Sequence, residues 1–267
     1  MNAAAGGANR PPLRHIIAVA LAIACAAIPA APAAPVDAAA RYAVVNVFPH
    51  DPNAWTQGLA FRKGKLYETT GLYGRSSLRR VDLATGRVLQ IRRLADRYFA
   101  EGLAFLGGKA WVLTWRENRV LLFDPVSFAR VGRFDYAGEG WGLTSNGTQL
   151  VMSNGSERIR FRDPRTFRTL RQITVTEAGR PVTLLNELEW VNGRIWANVW
   201  LVPQVVIIDP RDGKVVERID FSGLLERERA IGSPREMNGI AYLASAGRLF
   251  VTGKYWKHVY EVRLTTQ

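Results

Sequence analysis

One pattern recurs five times between residue 55 and the C-terminus of this 267-residue chain. An apolar segment opened by a polar or aromatic residue leads to a tight turn with Gly, then to a second apolar strand, then to an Asp-centred turn. The openings read Gln57-Gly-Leu-Ala-Phe61, Glu101-Gly-Leu-Ala-Phe105, Trp141-Gly-Leu-Thr144, Asn186-Glu-Leu-Glu-Trp190 and Asn238-Gly-Ile-Ala-Tyr242, with leading positions 44, 40, 45 and 52 residues apart. The first turns carry Gly64, Gly108, Gly147, Gly193 and Gly247. Later turns begin at Asp82, Asp124, Asp163 and Asp209, where the Asp side chain can bond the backbone ahead; in the last three a Pro follows and presets φ.

Four short strands per repeat, at a period in the forties, specify propeller blades. The expectation is an all-β, five-bladed β-propeller. The fifth repeat runs out of chain before its last hairpin, while an orphan strand, Tyr42 to Phe48, precedes the first. That strand is expected to complete the last blade and close the ring, making residues 42–267 one domain. Little helix is expected, except for a short one at Leu224 to Arg229. An open β-sandwich does not account for the fixed period.

The N-terminus reads differently. Arg10 and Arg14 precede an apolar run from Ile16 to Ala30, followed by an Ala-x-Ala site at Ala31–Ala33. This is the layout of a secretory signal peptide, assigned to residues 1–34 with a linker at 35–41. The run falls short of the roughly 20 apolar residues of a membrane span. An uncleaved anchor, or acylation at Cys25, is the alternative, but Cys25 lacks the usual Leu three residues before it. Cys25 is the sole cysteine, so the mature protein would have neither a disulfide nor a thiol nucleophile and would rest on its hydrophobic core. A periplasmic or secreted protein, without stable membrane association, is expected.

The net charge of +13 falls to +11 once Arg10 and Arg14 are removed. Its arginines are scattered, without a dense basic block or a basic amphipathic helix, so a solvated basic surface is expected rather than a nucleic-acid partner.

In a propeller the first strand of each blade lines the central channel, so equivalent positions form rings. One ring reads Gln57, Glu101, Trp141, Asn186 and Asn238; another, beyond the second strand, reads Gly71, Trp115, Gly155, Trp200 and Lys254. A purely structural position would repeat one residue type. These rings instead describe an aromatic cleft with one acid, several amides and one amine, suited to a small polar substrate with an apolar body. Bland roles compete for each: a Trp at a blade end packs in the core, Asn186 and Asn238 cap turns, Lys254 is solvated. Glu101, between Phe99 and Leu103 at a channel mouth, is the most informative, because desolvation there raises a carboxyl towards a pKa useful for proton transfer. P-loop, H-E-x-x-H and G-x-S-x-G patterns are absent. His50 and His258, the two histidines beyond the signal, have no ligand-spaced partner, which argues against a His-rich zinc site. The Gly-rich run Gly138 to Gly142 falls at a blade start and is read as such, not as a phosphate loop.

Several strings carry a family resemblance: Thr56-Gln-Gly-Leu59, Glu68-Thr-Thr-Gly-Leu-Tyr-Gly-Arg-Ser-Ser-Leu-Arg-Arg80, Glu139-Gly-Trp-Gly-Leu143, Leu185-Asn-Glu-Leu-Glu-Trp-Val-Asn-Gly193, Ile195-Trp-Ala-Asn-Val-Trp200, Met237-Asn-Gly-Ile-Ala-Tyr242 and Val251-Thr-Gly-Lys254. From about residue 43 to 263 the chain resembles the plant-type glutaminyl-peptide cyclotransferases and their bacterial relatives. The resemblance implies a five-bladed propeller and conversion of N-terminal glutamine to pyroglutamate with release of ammonia, with peptides or proteins carrying N-terminal Gln as partners; that chemistry requires no metal or cofactor, and a monomer is expected. It implies that Glu101 is the essential glutamate, with Trp55, Gln57, Phe99, Trp115, Trp141, Asn186, Trp200 and Lys254 binding substrate. Trp55 departs from the Phe usual in that family, a larger ring that would narrow the cleft. A non-catalytic peptide-binding propeller and a metal-dependent propeller lactonase or hydrolase are the competing readings, since a fold hosts many functions.

Overall fold

The computed structural model describes residue 1 and residues 41–265. The expected signal peptide, Cys25 and the linker up to residue 40 lie outside the described residues. The chain forms five four-stranded antiparallel sheets, each one blade of a closed ring. Blade I comprises Thr56–Arg62, Lys65–Thr70, Ser77–Val81 and Val88–Arg93; blade II runs from Ala100–Leu106 through Lys109–Thr114 and Arg119–Phe123 to Arg130–Asp135. Blade III comprises Leu143–Ser145, Leu150–Met152, Arg158–Arg162 and Thr169–Thr174; blade IV comprises Leu185–Val191, Arg194–Val199, Gln204–Ile208 and Val215–Asp220. Blade V takes Met237–Leu243, Arg248–Gly253 and His258–Thr265 from the C-terminus, and its fourth strand is Arg41–Pro49.

The closing strand is therefore the orphan read from the sequence, one residue longer at each end. It pairs antiparallel with the last strand, from Arg41 opposite Thr265 to Pro49 opposite His258, with a bulge between Val44 and Asn46. The ring is thus fastened by backbone hydrogen bonds between the two ends of the domain, and the first and last blades leave no open seam.

Turn chemistry follows the repeat. The five glycines of the first turns all adopt positive φ, between 62° and 91°. The Asp turns close as expected: Asp124 Oδ1 accepts from the Val126 and Ser127 amides at 3.0 and 2.7 Å, and Asp209 Oδ1 from the Arg211 amide at 2.9 Å. Each blade interface is its own hydrophobic core. Tyr67 and Leu78 of blade I meet Leu103 and Val112 of blade II, and Trp111 of blade II meets Phe167 of blade III. Trp196 and Ile207 of blade IV meet Ile240 and Trp256 from blade V. Such cores stand in for disulfides in holding the ring.

The first strands of the blades pack on one another in ring order around the channel. That demands close backbone approach, and Gly58, Gly102 and Gly142 supply it. A Cβ on Gly58 would lie 2.6 Å from the Leu103 nitrogen, and one on Gly102 would lie 2.7 Å from the Gly142 carbonyl carbon. Blade IV has Glu187 at this position. Its fully buried carboxyl accepts from the Ile240 amide at 2.9 Å and the Leu59 amide at 3.3 Å, joining three blades. Burial and the nearby Glu189 push the Glu187 carboxyl well above its ordinary range.

The one helix among the described residues, Ser222–Arg229, lies in the connection from blade IV to blade V. Its buried Glu228 accepts from His258 Nδ1, Tyr260 Oη and the Lys257 amide at 2.8, 2.7 and 2.6 Å, anchoring the helix to blade V. No helix among the described residues is long and apolar enough to cross a membrane.

Candidate active site

Antiparallel pairing brings the two rings read from the sequence to one end of the channel. The amide just past each second strand bonds the carbonyl just before the first strand: Gly71 to Trp55 at 2.8 Å, Trp115 to Phe99 at 3.0 Å, Trp200 to Leu184 at 2.8 Å, Lys254 to Glu236 at 3.0 Å. The ring residues themselves sit in bulges. Register shifts between Thr56 and Gly58, Ala100 and Leu103, Leu185 and Leu188, and Met237 and Ile240. Those shifts enclose Gln57, Glu101, Asn186 and Asn238. A bulge frees one residue from the ladder and re-aims its side chain. Four strands thereby present their polar side chains to the mouth.

Glu101 is 5% exposed and Gln57, Asn186 and Lys254 are each 4% exposed. Gln57 Nε2 donates to Glu101 Oε1 at 2.9 Å, and Asn238 Nδ2 donates to Gln57 Oε1 at 2.9 Å and to the Thr56 carbonyl at 2.9 Å. Asn238 is therefore no turn cap; it fixes which end of the Gln57 amide faces Glu101. Burial holds the Glu101 carboxyl well above the ordinary carboxylate range, opposed by the Lys254 cation and reinforced by the charges of Glu139 and Glu117. Burial lowers the Lys254 ammonium, with Glu101 and Glu236 acting against it. Lys254 Nζ lies 3.8 Å from Glu236 Oε2 and 5.0 Å from the centre of the Trp55 ring.

Aromatic side chains wall this group. Trp55 packs edge-on to Tyr255 at 5.1 Å, Phe99 to Trp115 at 5.5 Å and Trp141 to Trp200 at 5.4 Å. Gly71 and Gly155, the two small members of the second ring, make room as expected. A Cβ on Gly71 would strike Phe99, and one on Gly155 would lie 2.7 Å from Trp141. The fully buried Trp111 and Trp256 are core residues, as their place inside blade interfaces requires.

Three buried polar atoms of these mouth residues have no protein partner: the Trp55 indole nitrogen, Asn186 Oδ1 and Asn238 Oδ1. Unpaired buried groups are costly, so one donor and two acceptors here are available to a ligand. Among the described residues no three of His, Cys, Asp and Glu converge as metal ligands.

All nine site residues expected from the sequence lie at the starts of first strands or the ends of second strands, at this end of the channel. Reading the repeat missed Glu139, whose carboxylate accepts from the indole nitrogens of both Trp115 and Trp141 at 2.9 Å. It also missed Tyr73, which packs on Phe99 at 5.4 Å and donates to Glu117 Oε1 at 2.7 Å. Neither occupies a ring position, so the alignment of repeats had no place for them. A carboxylate between two glycines, two residues before a ring Trp, was the available signal for Glu139.

A family model described as glutamine cyclotransferase matches residues 17–264. A glutaminyl-peptide cyclotransferase of Arabidopsis thaliana is 40% identical over 228 residues, covering 83% of this chain and 70% of that protein. The crystal structure of Myxococcus xanthus glutaminyl cyclase matches with a TM-score of 0.80 at 37% identity, over 85% of this chain and 98% of that one. With the family model spanning nearly the whole propeller and both relatives agreeing, the chain belongs to the glutamine cyclotransferase family.

Proposed function

We propose that this protein is a glutaminyl-peptide cyclotransferase that converts the N-terminal glutamine of peptides or proteins to pyroglutamate, with Glu101 carrying the proton. The reading rests on a single carboxyl of raised proton affinity, buried at an aromatic mouth in a chain of this family. The substrate's neutral α-amine attacks its own side-chain amide carbon. A new C–N bond forms, and ionised Glu101 takes a proton from the attacking nitrogen. Glu101 then returns that proton to the departing amide nitrogen, the original C–N bond breaks, and ammonia leaves. A carboxyl raised towards the pKa of the amine suits both transfers. The two relatives, named as a glutaminyl-peptide cyclotransferase and a glutaminyl cyclase, support the reaction class.

The surrounding groups have matching roles. Lys254 and the unpaired Trp55 indole N–H face the oxygen that gains charge as the amide carbon turns tetrahedral. Asn186 Oδ1, unpaired and buried, accepts from the substrate's amine or amide. Trp115, Trp141, Trp200 and Phe99 wall the glutamine side chain, favour its folded conformer and exclude water. Trp55 narrows the cleft on the Lys254 side. The layout of residues 1–34 supports export to the periplasm or the exterior, where the domain acts as a monomer on peptide N-termini.

The test is ammonia release from Gln-containing dipeptides by purified protein, with and without chelator. Chelator-resistant release from N-terminal Gln, and none from an N-acetylated control, is expected. No release would overturn the proposal; loss of activity with chelator would point to a metal-dependent hydrolase.

A further inference from the structure

The run Gly138-Glu-Gly-Trp-Gly142 connects blade II to blade III, and its geometry is tightly specified. Gly138 adopts φ +89°. The Gly140 amide donates to the Trp115 carbonyl at 3.0 Å, and a Cβ on Gly140 would collide with the Tyr136 hydroxyl. The loop is thereby bent so that Glu139 lies between two aromatic residues from different blades.

Both oxygens of this carboxylate accept hydrogen bonds, three in all. Oε2 accepts from Trp115 Nε1 and from Trp141 Nε1, both at 2.9 Å. Oε1 accepts from Arg116 Nε at 2.9 Å, and the Arg116 guanidinium lies 3.8 Å above the Trp115 ring. Trp115 continues through Phe99 to Tyr73, and Trp141 continues to Trp200. Glu139 joins these two aromatic groups through their side chains, since its Oε2 bonds both indole N–H groups, while the Gly102 amide holds the Trp141 backbone at 2.7 Å. Each indole has one N–H, so one carboxylate oxygen fixes the orientation of both rings about the cleft.

We infer that Glu139 is a positioning residue of this active site, a carboxylate clamp that holds Trp115 and Trp141 as one rigid wall against the substrate's glutamine side chain. The inference deepens the cyclotransferase reading and rests on it. It also gives the Gly-rich run a role, because its glycines bring the clamp to the two indoles. The negative charge of Glu139 also acts on Glu101, which is faced in addition by Glu117, Tyr73, Tyr136 and Lys254. Glu139 and Glu117 raise the Glu101 carboxyl, and Lys254 lowers it.

The experiment compares Glu139→Ala and Glu139→Gln with wild type in dipeptide cyclisation across pH, with ¹H–¹⁵N spectra of the indole N–H groups assigned by Trp115→Phe and Trp141→Phe. In Glu139→Ala the two indole resonances shift together and kcat/KM falls about tenfold to a hundredfold, the loss expected for charge-assisted hydrogen bonds that orient a cleft. Glu139→Gln keeps an acceptor oxygen without the charge. It recovers part of that activity, and the acid limb of its kcat/KM profile moves to lower pH because a charge that raised Glu101 is gone. Unchanged indole resonances in Glu139→Ala, or wild-type kcat/KM and acid limb in both variants, would overturn the clamp. Should Glu139→Ala fail to fold, the near-isosteric Gln variant still decides through its pH profile and spectra. Absence of ammonia release by wild type would strike the cyclase reading alone, and the indole resonances would still report on the clamp.

Discussion

Gln57 Nε2 donates to Glu101 Oε1 at 2.9 Å from the same repeat position one blade away, and Asn238 locks the other end of that amide. A carboxamide chain running Asn238, Gln57, Glu101 thus delivers one N–H to the carboxylate and leaves its second oxygen free of it. In Glu101→Gln an amide replaces the carboxyl with almost the same shape, and Gln57 can still donate to its oxygen. The fold persists with a small change in melting temperature, because the buried Lys254 keeps Glu236 Oε2 at 3.8 Å as a counter-charge. Proton transfer is lost, and turnover falls by about a hundred- to ten-thousandfold, the usual share of general acid–base catalysis. Near-wild-type ammonia release would remove Glu101 from the mechanism.

Lys254 sets where on the pH axis Glu101 works. Its cation stabilises the carboxylate and so pulls the raised Glu101 pKa down. Glu101 must be ionised to accept the amine proton, so activity falls as pH drops through its pKa. Replacing the cation by an apolar chain of similar length, Lys254→Met, lets that pKa rise further. The acid limb of kcat/KM then moves to higher pH and the active range narrows. A limb that stays in place, measured over a buffer series at constant ionic strength, would show that the ammonium does not act on Glu101.

Gly155 tests whether the cleft walls matter. It holds φ +79°, and a Cβ there would meet the Trp141 ring at 2.7 Å. Gly155→Ala carries two penalties: about 1–2 kcal/mol for a left-handed conformation, and displacement of an indole that has little room to yield. Trp141 must swing from Trp200 and from Glu139. KM for Gln dipeptides rises more than kcat falls, and intrinsic fluorescence shifts to longer wavelength as the indole gains water. Unaltered kinetics would mean that Trp141 can retreat without cost to binding.

Much of this was legible because a propeller writes its geometry as a period. Equal spacing located the blades, the orphan strand at Tyr42 to Phe48 located the closure, and alignment of the openings turned Gln57, Glu101, Trp141, Asn186 and Asn238 into a ring before any coordinate was known. What a period cannot encode is a contact between unlike positions. Glu139 lies off the ring, and its role needs the fold of the loop between two blades. Glu187 lies on a repeat position otherwise held by glycine, but its bonds to Leu59 and Ile240 reach two other blades over 128 and 53 residues of sequence. His50 had no partner at ligand spacing, yet its ring meets Glu68 and the Trp256 carbonyl, because closure of the ring brings the C-terminal blade beside the first.

That buried histidine has a consequence for stability. His50 Nδ1 bonds the Trp256 carbonyl at 2.8 Å and Nε2 lies 3.0 Å from Glu68 Oε1, with both side chains almost fully enclosed. Since a carbonyl can only accept, Nδ1 carries a proton, and Nε2 carries a second when the pair is ionic. Burial alone lowers the imidazole pKa, but Glu68 and the carbonyl outweigh it, so His50 ends raised. Burial alone raises the Glu68 carboxyl, but His50, Arg79 and the Thr56 hydroxyl outweigh it, so Glu68 ends lowered. The His50 contribution is full below its unfolded pKa of about 6.5 and fades as pH rises through the higher folded value. The Glu68 contribution is full above its unfolded pKa of about 4.3 and fades as pH falls through the lower folded value. The pair therefore stabilises most between those two unfolded values. Glu68→Gln leaves the imidazolium without its anion next to the closing strand and costs about 3–5 kcal/mol within that window. The gap in melting temperature between wild type and Glu68→Gln is expected to be widest near the middle of the window and to shrink towards alkaline pH, where His50 is neutral in both. A gap that stays constant from acid to alkaline pH would show that the pair is held as neutral groups.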